Sequence, residues 1–150
     1  MSETDFLPEE PASGIAKLPL LAALIALFGL GDAIYLTIHH YTYEPVPCGG
    51  GFDCGAVLTS QYATIGDIPL AAFGAAAYFI AFSLALLAAF GNRLAWKLFG
   101  LQTALMAAAS IYFVYLQAFV IHSYCLYCLV SATTSVTLFI VALASRFWRR

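Results

Sequence analysis

Four cysteines carry most of the chemical potential of this 150-residue chain, and they come as two pairs. Cys125-Leu-Tyr-Cys128 sets two thiols three residues apart, which on a helix places them on one face and lets them close a small, reversible disulfide. At a helix N-terminus the backbone amides have no intrahelical acceptor, so they favour a thiolate over a thiol. The other pair, Cys48 and Cys54, encloses Gly-Gly-Gly-Phe-Asp. Three chemistries are open to such thiols. A metal site needs further ligands, and although the wide, glycine-rich Cys48–Cys54 spacing is unlike a zinc knuckle, His39, His40 and His122 could add nitrogens. Two permanent disulfides would simply staple the fold, but a staple gains nothing from a glycine tether beside it. Disulfide exchange between a fixed pair at a helix start and a mobile pair on a hinge uses both features.

The elements that must position these thiols lie in a membrane. Residues are 63% hydrophobic and 9% charged, against about 25% charged in soluble domains. Apolar stretches run over about 18–38, 69–90, 98–121 and 125–145, each near the ~20 residues that cross a bilayer as a helix. The expected fold class is therefore all-α, one four-span bundle over residues 15–150. Small residues at Gly29 and Gly31, Gly74–Ala77 and Ala107–Ser110 would let helix backbones approach closely. No internal repeat is present, and no nucleic-acid partner is expected.

All six cations lie at one set of helix ends: Lys17 before the first span, Arg93 and Lys97 between the second and third, and Arg146, Arg149 and Arg150 after the fourth. Because cytoplasmic loops retain Lys and Arg, both termini are expected in the cytoplasm, in a cell membrane, with the 39–68 loop and the 122–124 turn outside. All four cysteines then share the oxidising face. A signal peptide competes for the first span, but Glu3, Asp5, Glu9 and Glu10 precede it where a signal sequence is basic, so an uncleaved anchor is expected. Residues 1–14 are expected to form a disordered acidic tail.

Within the outer loop, Glu44–Pro47 is expected to be extended and Gly49–Gly51 to hinge. Gly55–Ala63 carries Ala56, Val57, Leu58 and Tyr62 at spacings one helix face can share, which predicts a short amphipathic helix on top of the bundle, capped by Asp53. A disulfide relay emerging at a lipid boundary needs a two-electron acceptor, and the natural one dissolved in lipid is a quinone. Rim residues Tyr35, Phe73, Tyr115, Phe119, Tyr124 and Tyr127 suit a flat ring, and equally make an interfacial belt. Asp32 is the one carboxylate inside a span, either a proton donor near such a ring or a neutral group turned into the bundle. His122, three residues before Cys125, is a candidate for stabilising a thiolate or a histidine that only solvates the turn.

CGGGFDCGAVLTSQYATIGDIPLAAFGAAAY, followed two helices later by CLYC, resembles the vitamin K epoxide reductase family, its bacterial homologues in particular. The resemblance covers about residues 18–145: a loop cysteine pair, Ser60 six residues after its second member, a Phe-Gly leading into the second helix after Asp67-Ile-Pro, and Cys-x-x-Cys opening the fourth. It implies that Cys48 accepts electrons from a reduced thioredoxin-like protein outside the cytoplasm, and that Cys54 then attacks Cys125. Cys128 is released beside a quinone, ubiquinone or menaquinone, with Ser60 near its pocket; of the rim aromatics, Phe73, Tyr115 and Phe119 are the expected ring contacts. The alternative for Ser60 is a hydrogen bond within the loop helix alone. Two departures from the family matter. Animal members acting on the epoxide have Thr-Tyr three and four residues after the second active-site cysteine, where this chain has Ser131 and Ala132, so quinone reduction is favoured over epoxide chemistry. Some bacterial relatives also carry a fused thioredoxin-like domain, so here the dithiol donor is expected to be a separate protein. A thiol-rich metal-binding membrane protein is the alternative.

Overall fold

A computed structural model describes residues 13–148. Helices α1 (Ser13–Thr42), α3 (Leu70–Ala89), α4 (Arg93–Leu116) and α5 (Leu126–Trp148) form the bundle, with a short helix α2 (Cys54–Leu58) in the loop between α1 and α3 and a π-helical turn, Gln117–Ile121, prolonging α4. Four segments are long and apolar enough to cross a membrane: Lys17–Thr42, Leu70–Ala89, Arg93–Ile121 and Leu126–Phe147. The chain is a multi-pass, all-α membrane bundle. The acidic tail expected over residues 1–14 lies, apart from its last two residues, outside the described residues.

The helices follow one another round a square, α1 beside α3, α3 beside α4, α4 beside α5 and α5 beside α1. Lipid-grade side chains such as Leu24, Phe28, Leu101 and Ile111 point outward, while small residues fill the interior: Ala22, Ala23 and Ala26 of α1 pack with Ala81 and Ala85 of α3. In lipid, burial of apolar surface gives little drive between helices, so close backbone approach supplies the packing energy. Tyr78 depends on that closeness. Its ring lies over Gly29, where an added Cβ would stand inside the ring, and its hydroxyl crosses the square to donate to Ser131 O at 2.6 Å, with Ser135 Oγ at 2.9 Å. Gly29→Ala is accordingly expected to destabilise the bundle by about 1–3 kcal/mol, seen as a lower unfolding temperature in detergent, because the ring cannot retreat without breaking its bonds to α5.

Helix ends follow local chemistry. Asn92 caps α4 through Oδ1, which accepts from Ala95 N at 3.0 Å, directly after Gly91 turns the chain with φ of 99°. At the same end, Trp96 stacks on Phe99 and donates to Ser145 Oγ at 2.9 Å, closing α4 onto α5.

The outer loop departs from its expected form. Asp53 does cap α2, its Oδ1 accepting from Ala56 N at 3.0 Å, but the helix stops at Leu58 instead of continuing to Ala63. Beyond Leu58 the chain tightens: Ser60 N and Oγ both donate to Val57 O and Ala63 N donates to Ser60 O, three-residue turns in place of the four-residue helical ladder. A two-residue hairpin follows, β1 (Thr64–Ile65) and β2 (Ile68–Pro69), paired antiparallel across Gly66 at φ of 65°. Pro69 therefore ends a strand and directly precedes α3.

Candidate active site

Cys48 and Cys54 form a disulfide, their Cα atoms 5.9 Å apart. The glycines between them make a turn closed by Phe52 N donating to Gly49 O, and Gly50 and Gly51 hold φ of 69° and 86°, which side chains with a Cβ resist. Cys54, in the first turn of α2, is 1% exposed, whereas Cys48 is half-buried. Cys125 and Cys128 are free thiols. Cys125, just ahead of α5, is fully buried, and Cys54, Val57 and Cys125 form one packed cluster against which Cys48, Cys128, Ile121 and Tyr127 lie. The loop is tied to this place by Asp53 N donating to Tyr124 O at 2.9 Å, one residue before Cys125. The four sulfurs thus gather at one end of the bundle.

Within the Cys-x-x-Cys pair the two sulfurs are not equivalent. Cys128 N donates to Cys125 Sγ at 3.4 Å, a bond that favours the thiolate on Cys125. Cys128, not Cys125, lines a cavity of about 870 Å³ that runs from beneath the loop into the bundle. Its walls are mostly apolar, broken by polar groups that include Asp32, Tyr78, Gln117 and Ser131 deep in the bundle and His39, His40 and Glu44 near the loop. The Tyr78 hydroxyl is already bonded to α5, but Asp32 Oδ2 is buried with no hydrogen-bond partner among the described residues.

The cavity sorts the expected ring contacts. Ser60 and Phe73 line it, with Ser60 Oγ also serving the α2 carbonyl of Val57. Tyr115 and Phe119 do not. Their rings pair at 5.1 Å on the outside of the bundle, 53% and 67% exposed, because Ser110, Phe113, Val114 and Gln117 occupy the face of that helix which turns inward. His122 caps the turn through its backbone N, which donates to Gln117 O. It sits exposed in a left-handed conformation, φ 57°, at the end of the π turn, and no hydrogen bond joins its ring to Cys125 among the described residues. The group that reaches Cys125 is Gln117, 3% exposed, whose Oε1 accepts from Cys125 N at 2.9 Å. Its signal in the sequence was an amide standing alone near the end of an apolar span. Among the described residues no group of three or more His, Cys, Asp and Glu side chains is placed to hold a metal ion.

Comparison with known proteins agrees with this arrangement. The model of the vitamin K epoxide reductase family matches residues 20–143. The chain is also 38% identical to the thiol-disulfide oxidoreductase LTO1 of Arabidopsis thaliana over a region comprising 74% of this chain and 32% of that protein, so it spans about a third of that relative's length. With a family match running from the first span to the end of the fourth, and a loop pair and a Cys-x-x-Cys pair packed together inside it, the chain belongs to the vitamin K epoxide reductase family.

Proposed function

We propose that this chain is a membrane thiol:quinone oxidoreductase that generates disulfides, taking electrons from a thioredoxin-like dithiol protein outside the cytoplasm and delivering them to ubiquinone or menaquinone. The observation that carries the reading is the packing of Cys54 against Cys125, with part-exposed Cys48 on one side and cavity-lining Cys128 on the other. The name of the Arabidopsis relative, a thiol-disulfide oxidoreductase, supports the same class of chemistry. The exposed cations Lys17, Arg93, Lys97 and Arg146 stand at the helix ends remote from the cysteines, which supports a cytoplasmic location for that end and an outer one for the thiols.

In the proposed cycle a partner thiolate attacks Cys48, breaking the Cys48–Cys54 bond and freeing Cys54 as a thiolate. Cys54 attacks Cys125 of the Cys125–Cys128 disulfide, and Cys128 leaves with the electron pair. A second partner thiol resolves the first mixed disulfide, so the partner leaves oxidised; Cys48 then attacks Cys54, restoring the loop disulfide and freeing Cys125. This sequence of exchanges leaves the loop disulfide intact and Cys125 and Cys128 reduced. Re-forming the Cys125–Cys128 bond releases two electrons and two protons.

The cavity suits a quinone in size, since ligand pockets run to about 300–1,000 Å³, and in its largely apolar wall. A quinone bound there supplies the two-electron, two-proton acceptor and departs as the hydroquinone. Phe73 and Ser60 would lie along it, and Asp32, whose Oδ2 has no other partner, would pass a thiol-derived proton to a carbonyl oxygen. Asp32→Asn is expected to lower quinone-coupled turnover by about 100-fold, the usual scale for losing a general acid, while exchange between the loop disulfide and the partner is unaffected. Equal turnover in the variant removes Asp32 from the mechanism. The whole reading is tested by mixing the purified protein with quinone and a reduced thioredoxin-like protein and following thiol loss together with hydroquinone formation. No coupled change in the two would sink it.

A further inference from the structure

From the turn between α4 and α5 we infer that Gln117 is a positioning residue that aims Cys125 at Cys54; the inference rests on the relay proposed above and deepens its internal step. Cys125 precedes the first residue of α5, so its amide has no intrahelical acceptor, and at full burial it has no water either. A buried amide left unpaired is costly, and the side chain eight residues earlier provides the acceptor, Gln117 Oε1 at 2.9 Å. The same residue holds the rest of the turn. Its carbonyl accepts from Ser123 N at 3.1 Å and from His122 N, the latter closing the π turn Gln117–Ile121. Such turns recur where a helix is bent for function.

Main chain and side chain of Gln117 therefore grip the link at residues 122, 123 and 125, while Asp53 N grips Tyr124 O from the loop. Two neighbouring bonds, one from α4 and one from the loop, set where Cys125 stands relative to Cys54. Loss of the Gln117 bond leaves the Cys125 amide free to turn toward any available polar group, and its sulfur turns with it. Thiol–disulfide exchange is displacement at sulfur, so it is sensitive to which sulfur is reached.

The test needs no quinone. In the Cys48→Ser, Cys128→Ser protein only Cys54 and Cys125 remain, and diamide oxidation joins them, taking two electrons and two protons while the Cys54–Cys125 bond forms. Gln117→Leu, which removes the acceptor, is expected to slow this joining at least tenfold. Gln117→Asn, one methylene too short to reach Cys125 N, should do the same if the leucine variant does not fold. Gln117→Glu retains an oxygen at the right reach and should restore the rate to within about twofold of Gln. In protein with all four cysteines, reduction of the part-exposed Cys48–Cys54 disulfide by a small dithiol involves neither Cys125 nor the cavity and should stay within about twofold in every variant. Joining at the parent rate in both Leu and Asn variants, or Glu as slow as Asn, overturns the inference. If the joining behaves as stated but no quinone turnover is found in the parent, the positioning role stands and the proposed acceptor fails.

Discussion

Serine in place of Cys128 is expected to reduce quinone-dependent thiol oxidation to background, a fall of roughly a thousandfold or more, the scale seen when a covalent catalyst is removed. The loss should be the same whether a protein dithiol or a small dithiol supplies the electrons. Without Sγ at position 128 no Cys125–Cys128 bond can form, so there is neither a disulfide for Cys54 to attack nor an exit for the electron pair into the cavity that Cys128 lines. The fold should tolerate the change, because Cys128 is only half-buried and sits beside the cluster rather than at its centre. Hydroquinone formation and free-thiol count, measured on the same sample, report the outcome; appreciable turnover in the Cys128→Ser protein would place the reducing sulfur elsewhere. A thiol-rich metal carrier makes the opposite prediction, zinc or copper bound in simple stoichiometry by the parent protein and no thiol oxidation with quinone.

How much of this was legible in the sequence depends on which physical signal each feature leaves. Spans announce themselves by length and composition, so the four crossings were readable from apolar runs alone. Which way each span faces was not. In lipid a helix is apolar all round, and the 3.6-residue alternation that marks the inner face in water is absent. Type and height in the membrane point to Tyr115 and Phe119 as ring contacts, and the rotation of that helix puts them outside. The short helix in the loop was visible in the spacing of Val57 and Leu58 and in the Asp53 cap, but its early end, where Ser60 and Ala63 form three-residue turns in place of the helical ladder, leaves no mark in that spacing. Gln117 was the least legible of all, since its reach to Cys125 exists only after a π turn and a left-handed residue have reversed the chain. Its polarity inside an apolar span was the clue, one that a search restricted to charged and aromatic groups passes over.

Cys54→Ser should separate two routes to the same centre. Turnover driven by the partner protein is expected to fall to background, whereas turnover driven by a small dithiol should persist within a fewfold. The reason is access. Cys125 is fully buried beneath α2 and packed among Cys54, Val57 and Tyr127, so no folded protein can bring a sulfur to it. Cys48 alone of the loop pair is part-exposed, and electrons that enter there can proceed inward only through the sulfur bonded to it, which is Cys54. A dithiol of a few atoms has another way in, because Cys128 opens onto the cavity and either sulfur of the Cys125–Cys128 bond is open to reduction from that side. Serine keeps the volume and leaves the Asp53 cap on Ala56 in place, so a collapse of α2 is not the expected cause of any loss. Partner-driven turnover that survives in Cys54→Ser would mean that the partner reaches Cys125 or Cys128 directly, and the loop pair would then be a brace; turnover lost with both donors would mean that α2 shapes the cavity more than it carries electrons. Only the split result makes Cys54 the obligatory step between a surface that proteins can touch and a disulfide that they cannot.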